Sequence, residues 1–386
     1  MSAAPLVLLA VLGLALPTGC LPSGDGDDGD PTSAFSTRLY RTLASRSDDN
    51  VLLAAGWAGR GLVALLRAAN GTTREQLRAA LGSDPRDLPD PSPTATSVPP
   101  DGAGLNLKGG LALFVDGGAQ VSASYAALVQ SKFGGVIKRV SFAAPQDTAD
   151  AVNAWARQQT SDRARDLVAG LDPGTRLLLA TAASYQGGFS QAFNVSATQD
   201  ERFYVDKYHV VSVPMMFRAD KYFLAYDRSL KAGVLRLPMA DGADTLVVLP
   251  DDGVDLGDVE EHLTPEKIRA WIGQLKKTKL EVQLPRFLLD RSYSLTDVLR
   301  TLGVARAFGE DADLSDAGLP GGVAVSEVLH KASVSMDESG AGGGAAPVFS
   351  SPPPRLTVNR PFLFVVYHRA GADLLLMGRV RDPTKK

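Results

Sequence analysis

Side chains able to do chemistry are few and scattered in this chain. The four histidines, His209, His262, His330 and His368, do not stand at metal-ligand spacing, and the single cysteine, Cys20, has no second thiol to join it. There is no Gly-x-Ser-x-Gly elbow and no Walker loop. Gly340 to Gly344 is glycine-rich, but a proline-rich segment follows it rather than the helix a phosphate cradle needs. No enzyme activity, cofactor or metal is therefore expected. Gly340 to Leu356 combines small residues, the run Pro352-Pro353-Pro354 and no alternating apolar pattern, which predicts an exposed, protease-sensitive loop.

The elements around that loop can be read on both sides. Val328-Leu329-His330-Lys331-Ala332 is strand-like and runs to Met336-Asp337-Glu338. A hinge of almost no bulk follows, Ala341-Gly342-Gly343-Gly344-Ala345-Ala346, which on composition alone could be a flexible linker. Beyond the loop, Asn359-Arg360-Pro361-Phe362-Leu363-Phe364-Val365-Val366-Tyr367 and Leu376-Met377-Gly378-Arg379-Val380 read as a hairpin of buried strands.

Upstream, Phe35 to Arg46 and Thr73 to Leu81 have helical spacing. The apolar segment Val51 to Leu66 is long enough for a buried helix. Further helices are predicted over Tyr125 to Phe133, Ala149 to Gln159, Pro265 to Leu275 (with Thr264 as N-cap and Pro265 at the first position) and Tyr293 to Leu302. Strands are predicted over Leu111 to Val115, Arg176 to Ser184, Val210 to Val213, Val234 to Leu237, Thr245 to Leu249 and Leu280 to Leu284. Lys276-Lys277-Thr278-Lys279 reads as a solvated turn. Ser83 to Gly104 carries too many prolines for a helix and reads as a long surface loop. Helices first, then mostly strands, make an α+β pattern.

The 386 residues are 45% apolar, enough for a large core, and the net charge of −3 predicts no nucleic-acid partner. Pro5 to Leu16 is apolar but too short to span a bilayer. Residues 1–20 read as a secretory signal peptide cleaved near Gly19 or Cys20, and residues 21–33, with Asp25-Gly26-Asp27-Asp28-Gly29-Asp30, as an acidic disordered leader. Residues 34–386 then form one domain. Asn70-Gly71-Thr72 and Asn194-Val195-Ser196 are acceptor sequons for N-glycosylation in a secreted chain.

The order of motifs resembles the serpin family. Val213-Pro214-Met215-Met216, Leu284-Pro285-Arg286-Phe287, Leu249-Pro250 and Val152-Asn153-Ala154-Trp155 look like its conserved segments, and the C-terminal block completes the match. Tyr222 to Asp227 and Leu263 to Trp271 look most like vertebrate plasma members. The resemblance implies three β-sheets surrounded by eight or nine helices, with an exposed reactive-centre loop. It also implies a secreted, monomeric inhibitor of an extracellular serine protease. In such proteins the protease cleaves the loop, is held as an acyl-enzyme, and is trapped as the freed loop inserts into the central sheet.

Carried over by residue, the hinge is Glu338, Gly340, Ala341, Gly342, Gly343, Gly344, Ala345 and Ala346. Counting back from Asn359 puts the reactive bond at Ser350-Ser351; counting forward from Glu338 reaches Pro354-Arg355. Phe349 and Arg355 are alternative baits. His330 matches the histidine of the network that controls sheet opening, Thr181 stands where an asparagine is usual, and Phe189 replaces a tryptophan. Ala54-Ala55-Gly56-Trp57 replaces a Ser-Pro-x-Ser segment whose hydroxyls serve that network. The proline-rich Ser83 to Gly104 stands where some relatives carry a basic helix, so no heparin site of that kind is expected. The alternative reading is a non-inhibitory serpin acting as a binding, carrier or precursor protein, because the loop from Glu338 to Asn359 is shorter than in typical inhibitors and the sheet-opening residues are altered.

Overall fold

The computed structural model describes residues 32–82, 105–342, 347 and 349–386. The expected signal peptide, most of the acidic leader and the proline-rich segment at 83–104 lie outside the described residues.

A five-stranded sheet forms the centre. Its strands are β2 (Leu107–Asp116), β3 (Val136–Val140), β4 (Leu177–Gln191), β10 (Phe287–Ser294) and β11 (Glu327–Gly342), in the order β10-β11-β4-β2-β3. Hydrogen bonds join the other nine strands into one network: β1 (Val51–Leu53), β5 (Gln199–Tyr204), β6 (Val210–Asp227), β7 (Ala232–Pro238), β8 (Ala243–Pro250), β9 (Lys276–Pro285), β12 (Arg355–Thr357), β13 (Phe362–His368) and β14 (Leu374–Val380). Two sheets share the long strand β6. Its first part pairs with β5 and β9, and its last five residues, Phe223 to Asp227, also pair with β7. Three sheets and, among the described residues, eight α-helices are thus present, as the resemblance implied.

The helices are α1 (Thr32–Ala44), α2 (Ala55–Ala68), α3 (Gly71–Leu81), α4 (Ala123–Phe133), α5 (Pro145–Thr160), α6 (Leu256–Glu261), α7 (Pro265–Gln274) and α8 (Thr296–Thr301). Their ends follow local chemistry. Asn70 caps α3 by accepting from Gly71 N at 2.8 Å, and Thr264 caps α7 by accepting from Lys267 N at 3.2 Å with Pro265 in the first turn.

Helices cover both faces of the central sheet. On one face α2 joins the main core, and Trp57 sits so close to β2 that a Cβ on Gly109 would lie 2.5 Å from its indole nitrogen. On the other face α5 lays Val152, Trp155 and Ala156 against Phe114, Leu178, Ala180, Ala182 and Leu329, with Trp155 edge-on to Phe114 at 6.0 Å. A sheet buried on both faces can change its strand order only if the helices above and below let it slide.

Three local expectations are corrected. Val51 to Leu66 is not one helix: Val51–Leu53 pairs with β14, Met377 to Arg379, and the helix begins only at Ala55. Pairing of a fully buried tripeptide outweighs its helical context here. Tyr293 and Ser294 belong to β10, opposite His330 and Leu329, so α8 starts at Thr296. Lys276 to Lys279 is the start of β9, paired with β6, rather than a turn.

Candidate functional site

The seam of the central sheet lies between β4 and β11. They run parallel and in contact, Glu327 to Met336 opposite Leu178 to Gly187, while β2–β4 and β10–β11 on either side are antiparallel. Small residues line the seam: Ala180, Thr181, Ala182, Ala183 and Ser184 on β4, and Ala332 and Ser333 on β11, all buried. Parallel pairs are slightly less stable per residue than antiparallel ones. A strand entering in the opposite direction would replace one parallel interface by two antiparallel ones.

His330 and Thr181 meet at this seam. The Thr181 Oγ1 to His330 Nδ1 distance is 2.8 Å, and both residues are buried. Ala54 N donates to His330 Nε2 at 3.0 Å, which makes Nε2 the acceptor and puts the ring proton on Nδ1. Nδ1–H then donates to Thr181 Oγ1, and the Thr181 hydroxyl donates to Leu329 O at 3.4 Å. Burial lowers the His330 pKa to about 3, so the ring is neutral. His330 and Thr181 are thus hydrogen-bonded without any hydroxyl from Ala54 to Trp57, and the Ala54 backbone amide is the ring's other partner. Ser36 on α1 adds a hydroxyl from outside that segment, donating to Ala55 O at 3.1 Å. Sequence reasoning missed Ser36, because nothing in the α1 pattern distinguishes it from a surface serine.

At the top of the seam the hinge is partly fixed. Glu338 is buried; its carboxylate accepts from Thr198 Oγ1 at 2.7 Å and lies 3.5 Å from Arg286. Asp337 to Ser339 are bulged out, after which Gly340 and Gly342 pair with Phe189 and Gln191. Phe193 N donates to Glu338 O at 3.1 Å and Ala192 N to Gly342 O at 2.8 Å. A Cβ on Gly340 would lie 2.5 Å from Phe189 O, so only glycine fits this approach. Phe189 packs edge-on to Phe193 at 4.9 Å. Gly340 and Ala341 are exposed and Gly342 half-buried. The expectation of a free loop from Gly340 is thus corrected: these first residues extend β11. Gly343, Gly344, Ala345 and Ala346 lie outside the described residues.

The far arm is fixed to β9. Arg355 and Leu356, expected to be loop, belong to β12, because Glu281 N donates to Pro354 O and Val358 N to Gln283 O, each at 2.9 Å. Arg355 also ion-pairs with Glu281 at 2.8 Å. Phe349 is half-buried, with Lys279 Nζ 5.4 Å from its ring centre. Ser350 and Ser351 are exposed. Asn70 and Asn194 are exposed too, and each turns its Oδ1 inward to backbone amides, of Gly71 and of Ser196.

Among the described residues no three His, Cys, Asp or Glu side chains gather to hold a metal, and no helix is long and apolar enough to cross a membrane. A family model described as serpin (serine protease inhibitor) matches residues 30–383. Mouse protein Z-dependent protease inhibitor is 28% identical over 92% of this chain and 81% of its own, and its crystal structure matches with a TM-score of 0.85 over 92% and 97% of the two chains. Bovine leukocyte elastase inhibitor is 30% identical over 90% of this chain and 97% of its own. Human thyroxine-binding globulin bound to thyroxine has the same fold, with a TM-score of 0.84, 24% identity and coverage of 92% and 98%.

Proposed function

Since this chain belongs to the serpin family, we propose that it inhibits serine proteases by being cut at Ser350–Ser351 and inserting the freed arm between β4 and β11. The protease serine attacks the Ser350 carbonyl, the bond to Ser351 N breaks, and Ser351 leaves as a free amine. Ser350 remains esterified to the protease until water releases it, and insertion of the arm competes with that water. The protein supplies the bait and the closing sheet and does no catalysis of its own.

The observation that carries this reading is the closed parallel seam of small residues below a cuttable, exposed bond. The arm is short but can enter it. Ten extended residues, Ala341 to Ser350, span about 33 Å at ~3.3 Å each. Entering beside Phe189, they would run down the seam to about the level of the Thr181–His330 pair.

The test is incubation with serine proteases of different primary specificity, followed by denaturing electrophoresis. A band stable to SDS at the combined mass, absent with an active-site-blocked protease, is the expected result. Cleavage with no such band from any protease overturns trapping. One observation favours the second reading, a non-inhibitory binding protein: Gly340 and Gly342 are hydrogen-bonded to the end of β4 and must let go before insertion.

The same reading takes the protein to be secreted, monomeric and without a heparin site, its partner an extracellular serine protease. Both sequon asparagines are exposed with Oδ1 engaged, and at Asn70 a glycan would displace only the 3.5 Å hydrogen bond that its Nδ2 donates to Ser315 Oγ. Expression through a eukaryotic secretory route should give medium-borne protein that loses mass on glycosidase treatment and no longer does so in the Asn70→Gln/Asn194→Gln double variant. Unmodified intracellular protein would contradict secretion.

A further inference from the structure

One face of β9 presents Lys279, Glu281 and Gln283, alternate residues that point the same way. Each holds one side chain of the arm beyond the hinge. Lys279 Nζ stands over the Phe349 ring at 5.4 Å, Glu281 takes Arg355 at 2.8 Å, and Gln283 Oε1 accepts from Thr357 Oγ1 at 2.8 Å. Lys279 lies opposite Lys221 on β6, so its cation has no acid across the strand pair. The ring is a suitable partner for it.

The first two contacts close a short arch. Phe349 and Arg355 are its feet, held by β9 residues about 7 Å apart, the spacing of alternate strand residues, and Ser350-Ser351-Pro352-Pro353-Pro354 is the span. The feet are also the two large side chains that a chymotrypsin-like or trypsin-like pocket would take. Within the span, the bonds after Ser351, Pro352 and Pro353 each have proline on the leaving side, a poor leaving amine for a serine protease. Only Ser350–Ser351 joins two exposed residues without a proline.

We propose that this ladder on β9 selects the target: it holds Phe349, half-buried, and ties Arg355, whose side chain stays exposed, to Glu281, and it leaves Ser350 unheld, so the partner is a serine protease with a shallow pocket for small side chains. Lys279 and Glu281 are then specificity-determining positions that never touch the reacting atoms. The inference rests on the cleavage-bait reading above but not on whether trapping follows.

The experiment maps the first cut by mass spectrometry on the intact protein, using pancreatic elastase, chymotrypsin and trypsin separately. The wild type should be cut first and fastest by elastase, between Ser350 and Ser351. Lys279→Ala should speed chymotrypsin cleavage after Phe349 by about two- to fivefold, the population shift expected on losing an exposed cation–π contact. Glu281→Gln should speed trypsin cleavage after Arg355 while leaving the chymotrypsin rate unchanged. Lys279→Arg, which keeps the cation, should behave as wild type. Lys279 is exposed and Glu281 half-buried, and an unchanged melting temperature checks that each variant is folded. Chymotrypsin cutting the wild type after Phe349 as fast as it cuts Lys279→Ala overturns the ladder, as does a first elastase cut elsewhere. Correct mapping with no covalent complex would sink the trapping reading and leave the ladder standing.

Discussion

Cutting the Ser350–Ser351 bond is expected to raise the melting temperature by about 10 °C, which at ~2.1 cal/mol/K of unfolding entropy per residue corresponds to a net gain of about 8 kcal/mol in a chain of this size. In the uncut molecule β4 and β11 are hydrogen-bonded directly to each other. An inserted arm would break those bonds and make two new sets, a net of about ten backbone bonds at ~0.5–1.5 kcal/mol each. The small side chains along the seam leave the backbone of the arm free to approach. Calorimetry before and after limited elastase cleavage measures the shift. Ala341→Arg supplies the control, because its side chain cannot follow the hinge into the sheet. That variant should be cut at the same bond and gain little. A wild-type shift below about 2 °C would mean that cutting does not lead to insertion, the outcome of the non-inhibitory reading.

Acidification should weaken the fold through His330. Its folded pKa, about 3, lies well below the ordinary histidine value because the ring is buried. Above pH ~6.5 the ring is neutral in both folded and unfolded chains and contributes no pH dependence. As pH falls below that, the unfolded chain takes up a proton that the folded one refuses. Stability is then lost at up to about 1.4 kcal/mol per pH unit until the folded pKa is reached. Carboxylates add their own acid loss, so the quantity to measure is the difference between wild type and His330→Gln. Denaturant unfolding at pH 7.5 and pH 4.5 should show the wild type losing about 2–3 kcal/mol more than the variant. Identical losses would show that the ring titrates normally. An imidazole NMR signal for His330 that moves between pH 6 and 7 would show the same without any variant.

What the sequence made legible depended on whether the signal was local. Thr264-Pro265 marks the start of α7 by itself, and the apolar runs around Phe364 and Leu376 announce buried strands. Val51–Leu53 was misread because three apolar residues joined to an apolar helix carry no period of their own; their partner Met377 to Arg379 is far along the chain. The site divides the same way. His330 and Thr181 were found by resemblance, and the backbone amide of Ala54 that completes their network has no side-chain signature at all. Lys279 looked like one charge in a polar turn. Its role depends on a strand register that brings residues 279 and 349 together, and composition says nothing of register.

The interleaving of β12, β13 and β14 with strands from earlier in the chain gives a nick in the loop an unusual character. After Ser350, β12 is paired with β9, and β13 and β14 pair with each other as a hairpin flanked by β8 and β1. Phe362 to Val366 and Leu374 to Met377 are also buried in the main core. A cut therefore changes the covalent count from one polypeptide to two without releasing either. The spent molecule would travel as a single particle of unchanged size on gel filtration and yield its short C-terminal peptide only under denaturants. Anything that distinguishes used from unused copies must sense the shape of the loop and sheet rather than mass.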